Sequence, residues 1–158
     1  MKQIILVLCL VLLLGYALIA WLNWPPLNAE LLKLRGFCRS CDLTNVNLEA
    51  MDLRGTDLYY ANLIGANLRD TNLRGANLTE ADLRGANLNQ TVLINARMTN
   101  AKIEKGKLDQ TLLCYTKTID GTVTGCDLSG RNLAGVDLGY VDLSESNLRG
   151  ANLTGVDL

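Results

Sequence analysis

Residues 61–85 read Ala61-Asn62-Leu63-Ile64-Gly65, Ala66-Asn67-Leu68-Arg69-Asp70, Thr71-Asn72-Leu73-Arg74-Gly75, Ala76-Asn77-Leu78-Thr79-Glu80, Ala81-Asp82-Leu83-Arg84-Gly85. This period of five extends from Leu43 to Leu158, and 20 of its 24 central positions are leucine. The residue two places before the centre is usually small, and the residue just before it is Asp or Asn at 17 of the 24 positions. A period of five fits neither a helix nor a simple strand, so the chain is expected to turn once per unit.

A chain that turns once per unit predicts a solenoid in which each central Leu and the small residue two before it point inward. The pattern resembles the pentapeptide-repeat family, whose motif is Ala-(Asp/Asn)-Leu-x-x. The resemblance implies an all-β fold, a right-handed quadrilateral β-helix over residues 38–158 with four units per coil. The 24 units then make a continuous rod of about six coils, roughly 29 Å long.

Residues 1–26 contain an apolar segment, Ile4 to Leu22, that carries no charge over 19 residues. As a helix this segment reaches about 28 Å, which is close to the thickness of the bilayer core. Trp21 and Trp24 stand where interfacial aromatic residues are expected, and Pro25-Pro26 stops the helix. We expect residues 4–22 to enter the membrane, as a retained single-pass anchor or as a cleaved signal peptide. Either alternative places the repeat domain outside the cytoplasm.

The two ends of the solenoid differ in sequence. Residues 27–37 predict a capping helix, because Asn28 suits its start and Gly36 its end, with basic residues in the last turn. We interpret this helix as the N-terminal lid. The chain ends at Val156-Asp157-Leu158 without a comparable lid, so the last coil is expected to be open to a partner, including a second copy in an end-to-end homodimer.

Four cysteines, Cys38, Cys41, Cys114 and Cys126, lie beyond the apolar segment. With the coil geometry that the resemblance implies, Cys41 and Cys114 are about 3.6 coils or roughly 17 Å apart. This separation rules out a shared metal or a crossed disulfide. Residues 114–126 resemble a Cys-x-Thr-x-x-x-Asp-Gly turn of some exported family members, which favours a local loop closed by Cys114 and Cys126. Cys38 and Cys41 are the second candidate pair, and free thiols remain the alternative for Cys114 and Cys126.

Seven consecutive units between Val92 and Thr122 lose the Asp or Asn before the centre. Basic residues concentrate there, and we call them the basic belt: Arg97, Lys102, Lys105, Lys107 and Lys117. The formal charge is +3 for residues 96–117, against −3 for 41–95 and −4 for 118–158. The belt is a candidate site for an acidic partner or for anionic lipid. Arg54 and Arg74 are interpreted as solubilising charges, and Arg131, at an inward position, is expected to distort its corner.

The composition favours a non-catalytic structural or protein-interaction module with an unknown protein partner. The chain has no histidine and a net charge of −1, and we find no nucleophile elbow or phosphate-binding loop in it. We therefore expect no catalytic residues, cofactor, metal or nucleic acid. The alternative function is mimicry of duplex DNA, the mode of family members that bind gyrase, but those have long acidic faces and this chain carries the basic belt.

Overall fold

The computed structural model of the chain describes residues 32, 36–104 and 106–157. The predicted membrane segment in residues 1–26 and most of the predicted capping helix at 27–37 lie outside these residues. In the part of the chain that is described, no helix is long and apolar enough to cross a bilayer. Leu32 is helical and buried, and its carbonyl accepts a hydrogen bond from the Gly36 amide at 2.9 Å. Because Gly36 has a φ of 67°, it ends this helical turn and leads the chain into the first coil.

Parallel β-bridges between residues 20 positions apart stack the coils. The longest series of bridges runs through Phe37, Asp57, Asn77, Arg97 and Lys117. A separation of 20 residues with a period of five means four units per coil, so the predicted β-helix solenoid is confirmed. We call residues 37–117 the first stack. Its units form single bridges rather than longer strands, and the helix described within it is a short 3-10 helix at Lys107–Gln110.

The core of the first stack consists of the residues that were predicted to point inward. Central leucines such as Leu63 and Leu73 are fully buried, and so are small residues such as Ala61. Removing one such leucine side chain from water is worth about 1.5–3 kcal/mol. Threonines at the small position are buried with a satisfied hydroxyl, since Thr71 Oγ1 donates to the Leu48 carbonyl of the preceding coil at 2.8 Å. The columns of Leu and small residues therefore hold the coils together.

The Asp or Asn before each centre shapes the turn that follows it. Asn72 Oδ1 accepts a hydrogen bond from the Arg74 amide at 3.1 Å, and most units repeat this contact two residues further along the chain. Asparagines of successive coils also bond to each other, as in Asn67 Nδ2 to Asn47 Oδ1 at 3.0 Å. The turn ends on a residue with positive φ, which is often Gly; at Gly65 a Cβ atom would overlap Asn45 Oδ1. These side chains, predicted only to face water, therefore fix the corners.

The stacking stops at Lys117, which forms an antiparallel bridge to Val123 instead of continuing the series. Thr118 N donates to the Thr122 carbonyl at 2.9 Å, and Thr124 N donates to the Thr116 carbonyl at 3.0 Å. We call residues 114–126 the hairpin. The hairpin reverses the chain, and Val123, a predicted central residue, is 62% exposed. The expectation of a continuous six-coil rod is therefore wrong.

Regular stacking resumes in residues 127–157, which we call the second stack. Its bridges are Asp127–Asn147, Asn132–Asn152 and Asp137–Asp157. The second stack has its own leucine core, which also includes Val92 and Ile94 from the outside of the first stack. The second stack therefore packs against the side of the first one.

Arg131 lies in the second stack at a position that was expected to distort a corner. Its backbone instead follows the regular pattern, because its amide donates to the Leu128 carbonyl at 3.2 Å as in the other units. Its side chain extends outward, and Nη2 donates to the Asp109 carbonyl of the first stack at 2.7 Å. The expected distortion is therefore wrong, and Arg131 links the two stacks.

Candidate interaction surfaces

The predicted basic belt is distributed over three sides of the first stack near its last coil. Arg97 and Lys117 are adjacent in one series of bridges, so they lie one above the other on the same side. Lys102 belongs to the neighbouring series of bridges, which also contains Asn62 and Asp82. Lys107 begins the 3-10 helix on a third side of the stack. These four residues are exposed, whereas Lys105 lies outside the described residues. The structure therefore brings Arg97 and Lys117 together and separates them from the other two.

The belt residues differ in how far their charge is already compensated. Lys102 Nζ lies 3.8 Å from Asp82 Oδ2, and Arg84 Nη2 donates to the same oxygen at 2.7 Å. The hydrogen bond from Arg84, and to a lesser extent the charge of Lys102, lowers the pKa of Asp82. Within the described ranges, neither Arg97 nor Lys117 has a carboxylate within 4.0 Å. Lys107 has none in these ranges either, so Arg97, Lys107 and Lys117 carry the belt charges that remain available to a partner.

An aromatic cluster lies on the same side of the first stack, in its first two coils. Phe37 and Tyr60 are each 53% exposed, and the rings of Tyr59 and Tyr60 meet edge to face with centroids 4.8 Å apart. The Arg39 guanidinium lies 5.0 Å from the Tyr59 ring centroid, and its Nε is 3.0 Å from Asp57 Oδ2. A cation held over an aromatic ring and beside a carboxylate has a fixed orientation. The cluster is thus an ordered, solvent-facing group of apolar and cationic side chains.

Tyr60 has a backbone conformation that suits a much smaller residue. Its φ is 58°, and Tyr115 and Tyr140 occupy equivalent positions with φ of 52° and 62°. Bulky residues rarely adopt positive φ, and such conformations cost about 1–3 kcal/mol. Tyr60 regains little of this cost through burial, because half of its side chain faces solvent. The packing of the solenoid therefore does not account for a tyrosine at this position.

The second stack covers an apolar strip on one side of the first stack. Val92 and Leu112 occupy the outward position before the centre, and Ile94 the outward position after it, yet all three are at least 95% buried. They share one core with leucines of the second stack. The missing Asp or Asn at positions 92 and 112 was noted in the sequence, but it was attributed to the basic belt. An apolar residue in place of Asp or Asn at two positions 20 residues apart, on the same side of successive coils, could have predicted that this side is covered.

Polar contacts border the apolar strip. Arg54 Nη1 lies 2.5 Å from Asp137 Oδ2, and Arg74 Nη1 lies 3.3 Å from Asp137 Oδ1. Arg74 also donates to the Gly139 carbonyl, and its side chain is 16% exposed. Next to these contacts an open groove of about 530 Å³ separates the stacks, lined in part by Gln90 and Asn132. Interpreting Arg54 and Arg74 as solubilising charges is therefore wrong, because both bind the second stack.

The four cysteines are paired within the described part of the chain. Cys114 and Cys126 are joined at the base of the hairpin, with Cα atoms 4.2 Å apart. In the hairpin, residue 118 faces residue 122 and residue 116 faces residue 124, so Cys114 faces Cys126 at the next step. Both cysteines are buried. Cys38 and Cys41, the second candidate pair, are also joined, with Cα atoms 5.5 Å apart. No bridge connects the two pairs, as the separation along the stack requires.

Candidate chemistry in the described residues is limited to these surfaces. Among residues 32, 36–104 and 106–157, no group of three or more His, Cys, Asp or Glu side chains could hold a metal ion. The Asp120 carboxylate is the most strongly shifted group: hydrogen bonds from the Thr118 hydroxyl and from the Thr122 amide and hydroxyl lower its pKa to about 2. These bonds lie within the turn of the hairpin, so they serve its geometry.

Comparison with known proteins connects the repeats to a family. The family model for pentapeptide repeats matches residues 38–75, 76–113 and 124–158, in 8 copies. The unmatched residues 114–123 lie within the hairpin. None of the curated proteins compared matches the chain.

Several solved structures are similar to this chain. A pentapeptide repeat protein from the Arabidopsis thaliana thylakoid lumen is 25% identical, with a TM-score of 0.41, over 77% of this chain and 60% of that one. A pentapeptide repeat protein from Nostoc PCC 7120 is 29% identical, with a TM-score of 0.28, over 82% and 70%. QnrB1, a plasmid-mediated fluoroquinolone resistance protein, is 16% identical, with a TM-score of 0.34, over 75% and 62%. The chain thus spans 60% of the length of the Arabidopsis protein.

Proposed function

The chain belongs to the pentapeptide-repeat family, and from this premise we propose that it is a non-catalytic protein-interaction module displayed outside the cytoplasm. Residues 4–22 attach it to the membrane or direct its export. Its partner is a protein with an acidic surface, which binds the side of the first stack that carries Arg97 and Lys117.

One observation carries this proposal: Arg97 and Lys117 are stacked on one side, exposed, and without a carboxylate within 4.0 Å among the described residues. Exposed cations that are already paired, such as Arg84 with Asp82, have less to gain from a partner. Stacked cations on a rigid scaffold attract an acidic surface and lose little conformational freedom when it binds. The belt is therefore suited to protein recognition.

The location outside the cytoplasm is supported by two features. The apolar run from Ile4 to Leu22 is long enough to span a bilayer. Paired cysteines persist in oxidising compartments, whereas a cytosolic chain keeps its thiols reduced. A periplasm-active or cytoplasm-active reporter fused after position 158 tests the location. Activity of the cytoplasmic reporter would contradict it.

Capture from membrane extracts tests the binding function. The full chain and an Arg97→Glu/Lys117→Glu variant are immobilised, and the captured proteins are compared at low and high salt. We expect a partner that the wild-type chain retains, that the variant loses, and that salt releases. Arg69→Glu is the matched control, because Arg69 is also exposed but belongs to a different series of bridges and pairs with Asp70 at 3.2 Å. Equal capture by the wild-type chain and the Arg97→Glu/Lys117→Glu variant would contradict the assignment of the belt.

A second copy of the chain remains the proposed partner of the last described coil of the second stack. In the second stack Leu143 and Leu148 are partly buried and Leu153 is 42% exposed, although central leucines of the first stack are buried. An end-to-end dimer would remove these side chains from water. Analytical ultracentrifugation of the full chain in detergent tests this, with Leu153→Asp expected to yield monomers. A wild-type chain that is monomeric at all concentrations would exclude the dimer.

The alternative function, mimicry of duplex DNA towards gyrase, needs a long acidic surface. The side with the longest series of bridges instead ends in Arg97 and Lys117. A supercoiling assay with purified gyrase tests the alternative directly, and we expect no inhibition by the full chain.

A further inference from the structure

The inter-stack groove, the open groove of about 530 Å³ between the two stacks, has an unpaired backbone edge along one wall. We propose that this groove binds an extended peptide segment of a partner protein, with alternating apolar and basic side chains. The second-stack wall of the groove contains Asn132, Ala134, Gly135, Val136 and Asp137. No described residue of the basic belt lines the groove, so the inference goes beyond the proposed function and concerns a second binding site.

Inside a stack, the backbone of each coil is hydrogen-bonded to the coil before it. Asn72, on the first-stack wall of the groove, donates its amide to the Met51 carbonyl at 2.9 Å. The Asn72 carbonyl accepts from the Leu53 amide at 2.8 Å. Asn132 has the equivalent place in the first coil of the second stack, but the chain reverses at the hairpin, so the second stack has no coil before this one.

The first coil of the second stack therefore has an open edge. Within the described part of the chain, the amides of Asn132 and Asp137 and the carbonyls of Asn132 and Ala134 have no hydrogen-bond partner. The other side of this coil is paired, since the Gly135 amide donates to the Thr154 carbonyl at 3.0 Å. An extended segment that is paired on one side only is a template for a further strand.

The open edge indicates a peptide as the occupant of the groove. A sugar or a small ion would leave the repeated amide and carbonyl groups of the edge unpaired, whereas an extended main chain offers matching groups at the same spacing. Buried or half-buried backbone groups without a partner cost free energy, so a strand that pairs with them gains it.

The groove has the length of a short strand. Its first-stack wall follows the series of bridges from Asp52 to Leu112, which spans three coil spacings or about 14 Å. The open edge runs along this series, because Arg131 contacts the last coil of the first stack and Asp137 contacts its first two coils. A strand rises about 3.3 Å per residue, so four or five peptide residues fill the groove.

The charges of the groove favour a basic peptide. Its carboxylates are those of Asp52, Asp70, Asp137 and Asp157. The arginines that pair with them are Arg54, Arg69 and Arg74. Four carboxylates therefore face three arginines, and among the described residues Asp157 has no arginine or lysine within 4.0 Å. A basic side chain of the peptide would compensate the remaining negative charge.

Apolar side chains also line the groove. Met51 lies on the first-stack wall and Val136 on the second-stack wall, and both are only partly buried. Alternate side chains of a strand point to opposite sides, so a peptide can place an apolar side chain against them at every second residue. The groove is therefore suited to a segment in which apolar and basic residues alternate.

A binding experiment with defined peptides tests the inference. The probe is a fluorescein-labelled Val-Lys-Val-Lys-Val peptide, and its binding to the full chain in a neutral detergent is followed by fluorescence anisotropy. The same peptide with N-methylated backbone amides keeps the side chains but cannot pair with a strand, so we expect it to bind at least tenfold more weakly. A Val-Glu-Val-Glu-Val peptide should also bind at least tenfold more weakly. Bound probe should slow hydrogen exchange at the amides of Asn132 and Asp137 several-fold.

Two variants locate the binding site. Ala134→Arg fills the groove from an exposed position, so it should weaken probe binding at least tenfold and leave the melting temperature unchanged. Thr154→Arg is the matched control, because Thr154 is exposed at the same place in its unit, one coil further along the second stack. It should bind the probe like wild type. Asp157→Asn should weaken binding several-fold.

The possible outcomes are distinct. Equal binding of the N-methylated peptide would overturn the pairing with the backbone edge, and equal binding by Ala134→Arg would place the peptide outside the groove. No binding of the probe at millimolar concentrations, or equal binding of the glutamate peptide, would overturn the inference as well. The Arg97→Glu/Lys117→Glu variant should bind the probe like wild type, so a failure of the proposed function is distinguished from a failure of this inference.

Discussion

Arg74 and Asp137 are 63 residues apart in the sequence, yet their side chains meet across the two stacks with Arg74 Nη1 3.3 Å from Asp137 Oδ1. Each lies at a regular outward position of its own repeat, so neither is unusual within its unit. Their contact shows that the second stack is folded back on the first rather than placed on top of it. The stability of this arrangement can be tested separately from that of the first stack.

The first prediction concerns this ion pair. Arg74→Glu places a like charge beside Asp137 and removes the hydrogen bond to the Gly139 carbonyl, so we expect a loss of roughly 1–3 kcal/mol in the docking of the second stack. Amide hydrogen exchange should accelerate in residues 127–157 and remain slow in residues 37–91. Arg84→Glu is the control, because Arg84 occupies the same place in its unit but contacts Asp82 of that unit.

A neutral substitution separates the loss of the ion pair from the added repulsion. Arg74→Gln removes the positive charge without adding a negative one and leaves the contact between Arg54 and Asp137 in place, so exchange in residues 127–157 should be faster than in wild type and slower than in Arg74→Glu. Exchange rates that stay equal to wild type in Arg74→Glu would contradict a role of Arg74 in docking.

The second prediction concerns the apolar strip under the second stack. Val92→Asn restores the common residue of the repeat, whose side chain can still support the turn, but it places an amide in the core shared with Leu128 and Leu138. We expect the free energy of docking of the second stack to weaken by about 1–3 kcal/mol, while the first stack keeps its fold. Hydrogen exchange distinguishes the two parts. Lys102→Asn introduces the same residue at the same place in the repeat but at an exposed position, so it should change little. Similar effects of the two variants would refute the covered strip.

The sequence allowed much of the first stack to be predicted, because a strict period of five determines which side chains point inward. Leu73 and Ala76 are buried as expected, and the four-unit coil follows from the family resemblance. The hydrogen bonds of the Asp and Asn side chains were not predicted. The pattern shows the positions of these residues, but it does not show that their side-chain oxygens accept hydrogen bonds from backbone amides in the turn. The basic residues were identified, but the pattern alone did not show that Arg97 and Lys117 would remain uncompensated while Lys102 would be paired.

The position of the second stack could not be derived from the repeat. The period of five continues without a break through the central positions 118 and 123. The replacement of Leu by Thr118 and Val123 is the main sign in the period that stacking ends there. A five-residue pattern describes contacts within one stack, whereas Val92 and Leu112 contact a different one. Docking of this kind depends on surface complementarity between distant units, which local periodicity does not encode. In the sequence, the docking of the second stack is indicated by the apolar residues at positions 92 and 112.

The third prediction is a pH dependence of the hairpin. The pKa of Asp120 is lowered from its usual 3.8 to about 2, so the ionised form stabilises the folded hairpin. This contribution is fully present above the usual value of 3.8 and is lost as the pH falls through about 2. An NMR titration of the Asp120 carboxyl group measures the pKa directly, and a value near 3.8 would contradict the geometry of the turn.

The matched variant for this titration is Asp120→Asn, which keeps an acceptor oxygen but does not titrate. The pKa values of Asp127 and Asp142 are also lowered, chiefly by hydrogen bonds from the Ser129 and Ser144 hydroxyls, and they act in the same direction. The difference between the wild-type chain and the variant therefore isolates Asp120. We expect the variant to lose less hairpin stability than wild type between pH 3.8 and about 2.

The last prediction is that the Cys114–Cys126 bridge holds the second stack in place. The two cysteines are 12 residues apart and close the hairpin through which the chain reverses. A bridge over such a loop stabilises the fold by up to about 3 kcal/mol in the chain-entropy description. Cys114→Ser/Cys126→Ser should therefore lower the melting temperature and speed hydrogen exchange in residues 127–157. Cys38→Ser/Cys41→Ser is the control, because it opens a shorter loop of 3 residues at the other end of the first stack. Non-reducing peptide mapping of protein isolated from its native cells shows whether the bonds form there. Free thiols at Cys114 and Cys126 would refute the prediction. A bridge from either of them to Cys38 or Cys41 would also refute it, because the coils of the first stack hold the two pairs too far apart for a disulfide.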